Sequence, residues 1–102
     1  MIIHVSVFNW VNTTAEDEIE RLLAGVRGIA DEVDGIHEIH CGENTSPLTQ
    51  GLEYAIFVRA DDAEALGRYQ AHDAHVAAAQ AIDLSQSRDE VHQPGVVVDL
   101  IT

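Results

Sequence analysis

At 102 residues the chain is one domain with room for its own core, and 18 acidic residues face five arginines and no lysine, a formal charge of -13. That charge repels phosphate backbones and anionic lipid, which excludes nucleic acid and membrane as expected partners. The single cysteine, Cys41, excludes an internal disulfide framework, and with no signal peptide and no run of about 20 apolar residues the expectation is a cytoplasmic protein.

Residues 2–10 alternate as a strand whose faces are Ile3/Val5/Val7 and Ile2/His4/Ser6/Phe8/Trp10. Both faces are largely apolar, so both are expected to be buried. Asn12-Thr13-Thr14 then opens a helix, with Thr13 and Glu16 at capping-box spacing. Its apolar stripe is Ile19, Leu22, Leu23, Val26 and Ile29, and Asp34-Gly35 ends it. A second strand runs over 36–41 and a loop follows over 42–47. The third strand, 52–60, carries Leu52/Tyr54/Ile56/Val58 on one face. Asp61-Asp62 caps a helix bearing Tyr69, His72 and His75, and alanine-rich helix continues to Leu84. The β-branched run 96–101 is the last strand.

The order β-α-β-β-α-β predicts an α+β, ferredoxin-like subunit with helices on one face of an antiparallel sheet, a single domain over 1–102. The bare apolar face then calls for a second copy, packed sheet against sheet as a homodimer.

Four segments together resemble the stress-responsive A/B-barrel (Dabb) family, over nearly the whole chain. They are His4 with Phe8-Asn9-Trp10, the Gly42-Glu43-Asn44-Thr45-Ser46-Pro47 loop, Asp62 to Leu66 followed by Tyr69, His72 and His75, and Val97-Val98-Asp99-Leu100. The third is similar to the family's Y-x-x-H-P-x-H pattern. The resemblance implies a dimeric α/β barrel and a role in stress response. The family includes olivetolic acid cyclase, which closes a ring by an aldol reaction without a cofactor. Carried over, the catalytic histidine falls on His75, its tyrosine on Tyr69 and the N-terminal histidine on His4. A further pocket histidine falls near Ile56, and the proline between the two histidines is Asp73; both positions depart from the family. The implied ligand-binding residues are His4, His72, Phe8 and Ile56, with Tyr69 and His75 catalytic and no cofactor.

Helical spacing tests that implication. Tyr69, His72 and Val76 share one face of a regular helix, whereas His75 lies about 120° around from Tyr69. Convergence requires the helix to break near His72-Asp73, with Asp73 as the N-cap of 74–80. A converged His75 is a general base for a proton alpha to a carbonyl, and Tyr69 a donor to the enolate oxygen. Otherwise Tyr69 is a core residue and the histidines bond backbone carbonyls.

His72, His75, Asp73 and His4 are the donors for a metal reading, which lacks any HExxH or cysteine pair, so no metal is assigned. His37 and His40 fall on opposite strand faces and read as surface or interface residues. Cys41, without a basic activator, reads as a buried thiol, and His92 as solvated. The absence of lysine removes Schiff-base chemistry, and no G-x-S-x-G elbow is present. Two functions remain: a cofactor-free enzyme or carrier binding a small hydrophobic ligand, and a non-catalytic stress or structural homodimer. A monooxygenase-like barrel is a third, with no histidine marked as a haem ligand.

Overall fold

Strand β1 (Ile2–Phe8) occupies an inner position of the sheet, and the side chains it turns to its two faces organise the rest of the subunit. The computed structural model describes residues 1–82 and 95–102. Helix α1 (Glu16–Glu32), β2 (Ile36–Glu43), β3 (Tyr54–Ala60), α2 (Ala63–Ala71), α3 (Asp73–Gln80) and β4 (Gly95–Ile101) follow. The four strands are ordered β2-β3-β1-β4 with every pairing antiparallel, so the subunit is ferredoxin-like α+β.

Alternation along β1 sends His4 and Phe8 to the helical side, where they are buried. They meet Ile56 and Val58 of β3, the α1 stripe Ile19/Leu23/Val26/Ile29, and Ala65, Leu66, Tyr69 and Ala78 of α2 and α3. Register places His4 between Val58 and Asp99. The opposite face pairs Ile3, Val5 and Val7 with Leu100, Val98 and Val96, which are 52%, 45% and 46% exposed. Among the described residues of one subunit, then, only one face of β1 is covered.

Two expectations shift. Strand β1 ends at Phe8, and Trp10 makes a lone bridge to Ile82. Thr13 does not cap α1: the chain turns there, the Thr14 amide donating to the Val11 carbonyl (2.9 Å), and Glu16 becomes the first helical residue instead of the third. Ala15 occupies the cap without a side-chain bond, and Glu16, Asp17 and Glu18 in the first turn face the helix dipole instead. His92, with the stretch 83–94, lies outside the described residues.

After α1 the chain reverses at Gly35, whose φ of 88° favours glycine. A Cβ there would stand 2.8 Å from the Ala65 Cβ, while the Gly35 carbonyl accepts from the Asp61 amide (2.8 Å). This turn therefore locks the α1–β2 corner against the start of α2. We expect Gly35→Ala to destabilise the protein by about 1–3 kcal/mol through backbone strain and overpacking. Urea unfolding checks this, and an unchanged midpoint would contradict the packing described.

Candidate active site

The helical run after β3 opens with Asp62, whose carboxylate accepts from the Ala65 amide (2.9 Å). It stops at Ala71, because His72 adopts extended backbone (φ -65°, ψ 141°). His72 then caps the next helix with its own ring: Nδ1 accepts from the Ala74 amide at 3.0 Å. Its Nε2 stands 2.6 Å from the Glu32 carboxylate at the end of α1. Since Nδ1 accepts, the proton sits on Nε2 and is donated to Glu32. The break falls where the spacing argument requires it, but His72 and not Asp73 makes the cap. Asp73 is instead the first residue of α3, where its charge faces the helix dipole.

The break turns His75 back toward Tyr69. Their rings meet edge-on at a centroid distance of 4.8 Å, and Tyr69 meets His4 at 6.3 Å. His4 Nδ1 lies 2.5 Å from an Asp99 carboxylate oxygen. A carboxylate only accepts, so Nδ1 carries the proton and Nε2 of the neutral ring keeps its lone pair. His4, Tyr69 and His75 thus form one wall on the helical side of β1, with Asp99 fixing the His4 tautomer.

The other expected residues serve differently. Phe8 stacks edge-on against Trp10 (5.1 Å), and Ile56 is 4% exposed in the core on the same face as His4. His72 uses both ring nitrogens in the scaffold. Asp99 escaped the sequence reasoning, although a single acid in a β-branched strand was a signal for it.

Burial pushes the Tyr69 hydroxyl far above the usual phenol range, with Cys41 adding to the effect. Tyr69 is therefore a neutral hydrogen-bond donor. Burial also lowers His75 from its ordinary value; the Gln70 carbonyl opposes this and the neighbouring His4 reinforces it. At neutral pH the His75 ring is a free base.

The remaining titratable groups stay apart from this wall. A register shift between Ile36 and Glu38 lets exposed His37 bond Asp61, while His40 bonds Glu38 and tilts against Phe57. Burial raises the half-buried Cys41 thiol, more strongly than Arg27 lowers it. Among the described residues no three His, Cys, Asp or Glu side chains group as metal ligands. A cleft of 510 Å³ lies at the far end of β1, around Trp10 and Tyr54. Tyr69 and His4 are only 1% and 6% exposed, so the wall is closed to solvent except through its His75 and Asp99 sides.

The model of the stress responsive A/B barrel domain matches residues 2–91. The chain belongs to this family. An uncharacterized Streptomyces coelicolor protein is 35% identical over 80 residues, covering 76% of this chain and 81% of that protein. A dimeric ferredoxin-like protein of unknown function from Jannaschia sp. CCS1 superposes with a TM-score of 0.76 at 24% identity, over 99% of this chain and 98% of that one. The hydroxynitrile lyase of Passiflora edulis gives 0.71 at 11% identity, over 99% and 92%. These two structures share the fold.

Two outcomes follow from the histidine geometry. His72→Ala should cost about 1 kcal/mol through the lost cap, whereas His72→Asn, which still caps, should keep most of that stability in urea unfolding. For His75, the folded state resists a proton that the unfolded chain accepts near pH 6.5, so stability is intact above that value and declines as pH falls below it. Melting of His75→Leu alongside wild type should shift in the variant's favour between about pH 7.5 and about pH 5.5. A pH-independent difference would show that His75 takes up its proton equally in both states.

Proposed function

We propose that this family member binds a small, mainly apolar carbonyl compound against β1 and acts on it by acid/base chemistry drawn from its own side chains. The observation that carries this reading is the break at His72, which brings a neutral His75 against the ring of Tyr69, whose hydroxyl is held in its donor form. In this reading His75 removes a proton alpha to the carbonyl, and Tyr69 hydrogen-bonds the oxygen as negative charge develops on it. His4, oriented by Asp99, offers Nε2 as a second polar contact. The apolar surface of Phe8 and Ile56 supports an aldol or lyase substrate of low polarity. The Passiflora neighbour, named as a hydroxynitrile lyase, is an example of carbonyl chemistry on the same fold; the analogy is one of scaffold alone.

Exchange of alpha protons in D2O, followed by NMR on a panel of small ketones and β-diketones, tests this directly. His75→Gln should slow enzyme-dependent exchange by about 100-fold or more, and Tyr69→Phe by less. Exchange that survives His75→Gln unchanged would remove the general-base role.

A second reading is a non-catalytic homodimer, and the depth of Tyr69 and His4 in the core favours it. Both readings share the pairing of sheets. The support is the uncovered row Val96, Val98 and Leu100 beside Ile3, Val5 and Val7, and dimeric is the printed description of the Jannaschia neighbour. Val98→Glu places a charge in the middle of that row, and light scattering should then report a monomer. A dimer that persists would place the interface elsewhere.

A further inference from the structure

The wall on the helical side of β1 holds three polar groups whose hydrogen-bonding senses can be assigned one by one. His4 gives its Nδ1 proton to Asp99 at 2.5 Å, so its Nε2 is a bare acceptor. Burial holds the Tyr69 hydroxyl in its donor form. His75 gives one ring proton to the Gln70 carbonyl, which leaves its other nitrogen as an acceptor. One donor therefore stands beside two acceptors, the His4 and His75 ring centroids lying 6.3 and 4.8 Å from that of Tyr69. One small molecule can reach all three.

Two of these atoms lack a partner inside the protein. His4 is more than nine-tenths buried, yet its Nε2 bonds no described group, and neither does the Tyr69 hydroxyl. Among the described residues the side-chain atom that is both sealed and unbonded is Trp10 Nε1, so His4 Nε2 and the Tyr69 hydroxyl keep an opening. A polar atom in so buried a residue loses most of its hydration, and a bound group of opposite sense restores the bond. The next pair on this face, Ser6 and Val97, borders an apolar recess of 200 Å³ with Phe8 and Ile82 on its wall.

From these senses we infer that the site takes a β-hydroxy carbonyl compound, and that Asp99 is the positioning residue that selects its hydroxyl. The inference rests on the reading above for the carbonyl oxygen at Tyr69 and the alpha proton at His75. The added element is a hydroxyl that donates to His4 Nε2. An ether or a second carbonyl in that place would set lone pair against lone pair and leave the nitrogen without a partner. The alkyl substituents have the recess beside Ser6 and Val97. Without the Asp99 carboxylate, the ring is free to carry its proton on Nε2 and would then call for an acceptor instead.

Diacetone alcohol and its methyl ether differ only in that hydroxyl proton, and NMR of the ring nitrogens in isotope-labelled protein reads both the tautomer and the ligand. At about pH 8, above the ordinary imidazole value, His4 should carry its proton on Nδ1 and none on Nε2. Diacetone alcohol should shift the Nε2 resonance saturably, and the ether should bind roughly tenfold more weakly. Asp99 is half exposed, so its variants keep the core intact. Asp99→Ala should move the proton to Nε2 and abolish the preference for the alcohol. Asp99→Asn, whose side-chain oxygen still accepts from Nδ1–H, should retain both. A protonated Nε2 in the wild type, no shift with the alcohol, or equal binding of the two ligands overturns the inference. So does an Asp99→Ala variant that behaves as wild type, or an Asp99→Asn variant that behaves as Asp99→Ala. None of these readouts requires turnover, so a protein that fails to exchange alpha protons would lose the general base and leave the His4 subsite standing.

Discussion

The arrangement of side chains along β1 depends on one interruption in the helical run after β3. A continuous helix would carry His75 about 120° away from Tyr69. His72 prevents this by leaving helical backbone and capping α3 with its ring. The same ring is anchored to Glu32, so the position of the break is tied to the end of α1. Helix α3 in turn rests on α1 where Gly25 has no side chain, and a Cβ there would lie 3.4 Å from Ala74. Cap, anchor and close approach together set the direction in which His75 points.

Strand β1 passes this local decision to the rest of the molecule. One of its faces closes the core and supplies His4 to the wall; the other supplies the middle of an apolar sheet surface. A one-residue slip of register would exchange the two faces and send His4 to the open side. The pairings with β3 and β4 therefore fix both the candidate chemistry and the surface offered to a second subunit. Asp99 illustrates the coupling, because it reaches His4 only when β4 pairs with β1 in this register.

What could be read from the sequence follows from which interactions are local. Alternation in β1 and the 3.6-residue stripe in α1 are statements about adjacent turns, and they recover the element order and most of the core. The helix break was legible as a geometric requirement, but its agent was not. Asp73 has the stronger capping propensity, yet the Glu32 contact, made across the fold, holds His72 in that role. Thr13 misled for the opposite reason: its spacing to Glu16 suits a cap, while the turn at Val11–Thr14 uses the chain before the helix starts. Asp99 and the Trp10 cleft depend on contacts between distant strands and loops, to which a residue pattern is blind.

The excess of acid gives the histidines different characters. His4, His37, His40 and His72 each bond a carboxylate, from Asp99, Asp61, Glu38 and Glu32. Such partners fix the orientation of each ring, which suits holding structure. Among the described residues His75 is the exception, packed on an aromatic ring with the Gln70 carbonyl as its backbone contact. In a chain with 18 acidic residues, keeping a carboxylate away from one imidazole requires burial and not merely distance. Burial supplies both conditions at once: it excludes the acids and it lowers the affinity for a proton. The crowd of reactive side chains between Tyr69 and His75 therefore resolves into two roles. His72 is spent on geometry, and that expenditure leaves His75 as the ring free to take a proton.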